Sequence, residues 1–320
     1  FRSADNGRPV PEPLPNPDVE WRDGALWSCT HGDAYSSVRG ARAEREHVFL
    51  RGNGFGAAGD VDAGRWRAQG AAAASATRGP GLARTTGSAS PVTFGELGFG
   101  AGTSFLCAWA AFRAHAANDA QLDWVSVEGA PLDAATLQRA VLSDPAMAPL
   151  APLAAELARA WPAHVRGIHR RSFEGGRVRL TLLFGDVLEW LPTVDFRADA
   201  WCMDGFAPAR NAAMWSDEAV AQVAAHSRPG TTLATYAAAS AVGDSLGAAG
   251  FAVRRIPGAN GKREMIAATM DREPDRRAMR VLPRWFAPDH VATAPRAAVV
   301  IGAGIAGATA ARALAERGMA

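Results

Sequence analysis

Lysine is almost missing from this chain: Lys262 is the only one among 320 residues, and arginine supplies the rest of the positive charge. Arginine makes planar, bidentate contacts with phosphate and stacks on bases, which suits a nucleic-acid partner. Arginine-for-lysine bias in a GC-rich genome is the favoured explanation of the composition itself, since whole-chain usage locates no binding face. A net charge of only +2 argues against a polybasic, histone-like protein. Cysteine is scarce as well. Cys29, Cys107 and Cys202 are odd in number and widely spaced, with no CxxC pair or Cys/His cluster at zinc spacing. Neither a disulfide framework nor a structural metal is supported, and a reducing, cytoplasmic compartment fits best. No apolar run approaches the roughly 18 residues of a membrane span, and no signal peptide opens the chain. Internal repeats are absent, and no feature specifies an oligomeric state.

Hydrophobic residues make up 48% of the chain, enough for a sizeable buried core. The chain starts at Phe1 and stops at Ala320 directly after a strand–turn–helix unit, so both ends read as cut. Residues 1–90 read as an N-terminal extension. Within it, 1–20 are polar and proline-punctuated, an extended lead-in. Residues 21–55 mix short aromatic and apolar stretches that suggest a hairpin and a helix. Residues 56–90 are rich in Gly, Ala, Ser and Arg with little periodicity, which reads as a loop or a poorly formed helix.

From Pro91 the pattern becomes alternating strands and helices, the signature of a parallel sheet with crossover helices. Strands are predicted at 92–97, 122–127, 178–184, 198–203, 232–236, 251–256 and 264–269. Helices are predicted at 104–115, 132–142, 186–191, 217–226 and 241–249. Residues 91–270 therefore form an α/β domain around a mostly parallel, seven-stranded sheet, and 271–296 read as a charged, proline-punctuated linker. Residues 297–320 hold a further strand at 297–301 that enters a second glycine loop.

The two glycine loops differ in what they admit. The first is Glu96-Leu97-Gly98-Phe99-Gly100-Ala101-Gly102, following a strand and opening a helix. Its glycines let backbone approach a nucleoside closely. The carboxylate of Glu96 would repel a pyrophosphate but welcome the α-ammonium of a methionine moiety. The next strand ends at Glu128, where a carboxylate can accept both ribose hydroxyls, a geometry shared by dinucleotide and adenosylmethionine sites. Asp186 follows the next strand, placed for an adenine amino group, although a helix N-cap is the competing reading. Asp204 ends the strand after that. Four acidic positions at successive strand ends favour S-adenosylmethionine and a class I methyltransferase fold of the Rossmann-like type. The second loop, Gly302-Ala303-Gly304-Ile305-Ala306-Gly307, is a GxGxxG fingerprint that would seat a dinucleotide pyrophosphate at a helix N-terminus. A structural helix turn is the alternative, and one βα unit alone cannot complete a dinucleotide site.

Further segments extend the pattern: Pro15-Asn16-Pro17-Asp18-x-Glu20-Trp21-Arg22-Asp23-Gly24, Val125-Ser126-Val127-Glu128, Leu183-Phe184-Gly185-Asp186, Asp204-Gly205-Phe206-Ala207-Pro208-Ala209-Arg210-Asn211, Met214-Trp215-Ser216 and Lys262-Arg263-Glu264-Met265. Together with the glycine loop they resemble the bifunctional enzymes that make 5-methylaminomethyl-2-thiouridine in tRNA, over about residues 15–270. The GAGIAG unit sits where that family's FAD-dependent oxidoreductase half begins. Departures from the family pattern are Gly129 in place of a basic residue, the weak periodicity of 56–90, and the run Thr235-Tyr236-Ala237-Ala238-Ala239-Ser240.

The resemblance implies two activities. An FAD half removes the carboxymethyl group from carboxymethylaminomethyl uridine, and a methyltransferase half methylates the resulting primary amine on the wobble base. Carried over by position, Glu96, Gly98, Gly100, Gly102, Glu128 and Asp186 would hold S-adenosylmethionine. In the intact protein Gly302, Gly304 and Gly307 would hold FAD. Asp204 would orient the amine and help accept its proton, with Phe206, Pro208 and Asn211 facing the aminomethyl group. Phe206 and Trp215 are candidates to stack on a flipped base, although Trp215 reads equally as a core aromatic. Arg170, Arg171, Arg254, Arg255, Lys262 and Arg263 would meet tRNA phosphates or solvent. The competing functions are a same-fold methyltransferase acting on a small amine or protein, a nonenzymatic tRNA-binding module, and a protein that is chiefly a flavoprotein.

Overall fold

The computed structural model describes residues 12–36, 40–56, 65–66, 91–276 and 298–316. Strands β1 (Val19–Arg22) and β2 (Ala25–Ser28) form an antiparallel hairpin, extended by the short β3 (Asp33–Ala34). Its turn is Asp23-Gly24, a pair that two-residue hairpin turns favour. A helix at Ala41–Arg45 follows and runs on through wider and then tighter turns over Glu46–Leu50 and Arg51–Asn53. The extended lead-in is tethered where Pro13 bridges to Val165 and the Leu14 amide donates to the His164 carbonyl (3.0 Å).

The main sheet contains β4 (Val92–Leu97), β5 (Leu122–Glu128), β6 (Gly167–Phe173), β7 (Val178–Phe184), β8 (Ala200–Met203), β9 (Thr232–Thr235), β10 (Phe251–Pro257) and β11 (Glu264–Met270). These eight strands lie in the order β10-β11-β9-β8-β4-β5-β7-β6. The five central strands β9, β8, β4, β5 and β7 are parallel; β11, β10 and β6 join antiparallel. The predicted seven strands are all present, and β6 is the one the sequence pattern missed. Its sequence Gly-Ile-His-Arg-Arg-Ser-Phe is partly exposed at every position before Phe173. An edge strand needs no continuous apolar run, so it leaves a weak signal.

Alternation along the strands divides the core between the two sheet faces. Phe94, Trp124, Leu182 and Cys202 point to one face, where they meet the helices Thr103–His115, Ala134–Leu142 and Ala151–Arg159. Leu97, Val125, Leu183 and Trp201 point to the other, against the helices Asp217–Ala225 and Ser240–Ala248. Trp66 lies within the stretch expected to be a loop or poor helix, yet it is buried against Phe55, Phe94 and Phe112. The rest of 67–90 lies outside the described residues.

Of the expected linker, 277–296 also falls outside the described residues. Its first residues rest on the domain, with Arg276 paired to Asp195 at 2.5 Å. The strand expected at 297–301 is not formed among the described residues; 298–304 run without regular structure into the helix Ile305–Glu316. A strand is held by neighbours, and this unit joins no sheet. Among the described residues, no helix is long and apolar enough to cross a membrane, and no cluster of His, Cys, Asp and Glu could hold a metal.

Candidate active site

Strand β4 is the point where the chain switches direction across the sheet, with β5 on one side and β8 on the other. Crevices outside such a switch point are where open α/β sheets bind ligands. A cavity of about 670 Å³ opens there, within the range of roughly 300–1,000 Å³ for small-molecule sites. Its floor is the Gly98–Ala101 loop after β4, and its walls include Glu128, Asp186 and Asp204. The N-terminal hairpin closes it from above with His31, Asp33 and Tyr35. An added Cβ at Gly98 would lie 2.4 Å from the Asp204 carbonyl oxygen, so the two loops meet only because this residue is glycine.

Glu128 spans the base of the cavity. Its carboxylate accepts the Gly100 and Ala130 amides, each at 2.8 Å, which fixes the glycine loop to the end of β5. Burial pushes this carboxyl upward, and the two amides pull it back. Asp186 caps the following helix at the Leu188 amide (2.8 Å), as the N-cap reading expects, and also lines the cavity.

Asp204 is held by two segments. One carboxylate oxygen accepts from Arg45 at 2.6 Å and the other from the Ser104 hydroxyl at 2.8 Å. Burial raises its carboxyl above the usual range, opposed by the Arg45 guanidinium and the Ser104 hydroxyl. Removing either partner of a buried ion pair leaves an uncompensated charge, at a cost of about 3–5 kcal/mol.

Glu96 is placed differently from the expectation. It shares strand parity with Phe94, so its side chain enters the core beneath the cavity, fully buried and outside the cavity wall. One oxygen accepts the Trp124 indole N–H at 2.8 Å, and the other lacks a hydrogen-bond partner among the described residues. Burial and the nearby Asp204 charge hold this carboxyl far above the carboxylate range, so the neutral acid is favoured. Contact between Glu96 and a ligand ammonium does not fit this arrangement.

Gly98, Gly100, Phe206 and Asn211 line the cavity; Gly102, Pro208 and Trp215 do not. Gly102 starts the helix Thr103–His115 behind the loop. Trp215 is buried in the second core, and its indole N–H donates to the Phe206 carbonyl at 2.9 Å. It shapes the loop rather than stacking on a ligand. The Phe206 ring stacks on His31 with centroids 4.5 Å apart and meets Tyr35 edge-on at 5.1 Å. Of the six basic candidates, Lys262 lines the cavity, pairing with buried Glu44 at 3.2 Å and lying 4.0 Å above the Tyr236 ring. Arg255 instead pairs with Glu264 on the adjacent strand at 3.0 Å.

Sequence reasoning missed His31, Tyr35, Glu44 and Arg45; Tyr236, from the run that departs from the family pattern, also lines the cavity. For Arg45 a signal existed: Ala41, Arg45 and Val48 follow helical spacing, and all three are buried. An arginine on an apolar helical face needs a buried partner.

Sheet order, switch-point cavity and glycine loop together define a class I S-adenosylmethionine-dependent methyltransferase fold. A family model described as S-adenosyl-L-methionine-dependent methyltransferase matches residues 148–271. The chain is 43% identical over 304 residues to the tRNA 5-methylaminomethyl-2-thiouridine biosynthesis bifunctional protein MnmC of Ectopseudomonas mendocina, covering 95% of this chain and 42% of that protein. It is 40% identical over 304 residues to the protein of the same name from Burkholderia mallei, covering 92% and 40%. The family resemblance read from the motifs thus holds along nearly the whole chain, which spans about two fifths of these curated relatives. Among solved structures, MNMC2 from Aquifex aeolicus superposes with a TM-score of 0.55 at 17% identity, covering 78% of this chain and 67% of that one, and supports the fold.

Proposed function

We propose that this chain transfers a methyl group from S-adenosylmethionine to the primary amine of 5-aminomethyl-2-thiouridine at the wobble position of tRNA. One observation carries the reading: Glu128, Asp186 and Asp204, from three different strand ends, face a single cavity beside the glycine loop. The names of the relatives supply the acceptor class. The cavity's volume and its open glycine floor suit an adenosyl group, with Glu128 toward the ribose and Asp186 toward the adenine.

S-adenosylmethionine supplies an electrophilic methyl on a sulfonium; as the new N–C bond forms, the S–C bond breaks and sulfur keeps the electron pair. The acceptor nitrogen needs a free lone pair, so one proton must leave it. Asp204 accepts an N–H from the amine, aims the lone pair at the methyl and takes the departing proton toward solvent. Phe206, stacked on His31, offers an aromatic face for the flipped base, and Asn211 contributes a polar edge. Lys262 sits at the rim, where tRNA phosphates would approach.

The relatives' bifunctional name and the GxGxxG loop at Gly302, Gly304 and Gly307 support a longer protein with an FAD-dependent half that releases the primary amine. This reading makes it a cytoplasmic enzyme of tRNA modification. The test is transfer of labelled methyl groups to tRNA bearing aminomethyl-uridine, run beside small amines and unmodified tRNA. Transfer to the modified tRNA alone is expected; labelling of small amines instead would reject the acceptor, and no adenosylmethionine binding by calorimetry would reject the enzyme.

A further inference from the structure

The cavity receives a guanidinium from a segment far from it in sequence. We infer that Arg45 is a positioning residue of the site, holding Asp204 ionised and aimed into the cavity while tying together the three segments that enclose it. The inference rests on the methyl-transfer reading only for its effect on rate.

Three nitrogens of Arg45 reach three segments. Nη1 donates to Asp204 after β8 at 2.6 Å, Nε to the Thr103 hydroxyl at the start of the 103–115 helix at 3.2 Å, and Nη2 to the Tyr35 carbonyl of the hairpin loop at 3.3 Å. The ion pair is enclosed, with side chains 7% and 10% exposed, and the Phe49 ring lies 5.5 Å from the guanidinium. A planar fork can satisfy three directions at once; a lysine ammonium at the end of a flexible stem cannot keep them all.

Other groups also act on Asp204. Glu44 lies on the same helix as Arg45, Ser104 on the 103–115 helix, Lys262 before β11, Glu96 on β4, Cys202 on β8 and Tyr236 after β9. Among the described residues, Arg45 is the cation in direct contact with the carboxylate; Lys262 pairs with Glu44 instead. Without the guanidinium, burial and the neighbouring acids would act on Asp204 against only Ser104 and the more distant Lys262. A protonated Asp204 cannot accept the amine's proton.

The test uses this 320-residue chain with 13C-carboxyl-labelled aspartate, Asp204 being assigned by the signal lost in Asp204→Asn. In Arg45→Met the Asp204 carboxyl should titrate about one to three pH units higher than in the wild type, and the acid limb of the methyl-transfer rate should move up with it. Arg45→Lys should keep the titration near the wild-type position but lower kcat, because the Thr103 and Tyr35 contacts are lost. Arg45→Gln repeats the neutral substitution should Arg45→Met fail to fold. An unmoved Asp204 titration in a folded neutral variant would overturn the inference, as would equal titration shifts in Arg45→Lys and Arg45→Met. If the titration moves as expected but the wild type methylates no aminomethyl-uridine tRNA, the Arg45 assignment stands and the proposed reaction fails.

Discussion

Gly98→Ala probes the contact that builds the cavity, and a second glycine supplies its control. Gly98 has φ of 86°, and a Cβ there would lie 2.4 Å from the Asp204 carbonyl oxygen and 3.0 Å from the Gly205 Cα. Gly230 has nearly the same φ, 87°, but nothing lies within 4 Å of where its Cβ would sit. The left-handed backbone costs an alanine about 1–2 kcal/mol at either site. Only Gly98→Ala must also push two packed loops apart, which adds about 1–3 kcal/mol. At about 2–4 °C per kcal/mol for a domain of this size, Gly230→Ala should melt about 2–8 °C below the wild type, and Gly98→Ala about 4–20 °C below it. Calorimetric titration with S-adenosylmethionine gives the second readout. Gly230→Ala should bind like the wild type, whereas Gly98→Ala should bind about tenfold or more weakly, because both displaced loops line the cavity. Equal melting losses in the two variants, with ligand affinity intact in Gly98→Ala, would refute the reasoning.

Three further outcomes are expected. Glu128→Gln keeps the shape but loses the charge that accepts the Gly100 and Ala130 amides; at about 1.5–3 kcal/mol for charge-assisted bonds, adenosylmethionine affinity measured by calorimetry should fall about tenfold or more. Glu96 has a folded-state value well above its ordinary 4.5, caused by burial and then by the Asp204 charge. A carboxyl raised in this way stabilises the fold most below its unfolded value and loses that contribution as pH rises through the folded one. The ligand-free wild type should therefore lose melting temperature as pH rises above about 4.5 relative to Glu96→Gln, and parallel curves would show that Glu96 does not titrate in this window. Trp215→Phe keeps an aromatic ring, though a smaller one, but removes the 2.9 Å bond to the Phe206 carbonyl, worth about 1 kcal/mol. It should raise KM for the proposed tRNA acceptor while leaving adenosylmethionine affinity unchanged, and a change confined to the cofactor would contradict the loop-shaping role.

How much of this is legible in the sequence follows from the range of the forces involved. The β4–glycine loop–helix unit was readable because each part is local: strand alternation, a turn that only glycine permits, and a helix with Phe105, Leu106, Trp109 and Phe112 on its buried side. Glu128, Asp186 and Asp204 line the cavity because they sit at strand ends, where a parallel sheet gathers its loops on one edge. Glu96 was misplaced because it lies inside β4, where strand parity rather than closeness to the glycines sets its direction. Trp215 was undecidable from sequence, since a buried aromatic and a stacking platform leave the same trace.

By itself the sequence determined the sheet's repeating units, the glycine loop and the acidic strand ends, all consequences of short-range periodicity and backbone sterics. Tertiary structure alone decided the upper wall of the cavity and the electrostatic state of its carboxylates. Arg45 lies 159 positions from Asp204 along the chain, and Lys262 lies 218 from Glu44. Such ion pairs depend on which surfaces the folded sheet brings together and on how completely burial removes water from them, and neither is written in any local run of residues.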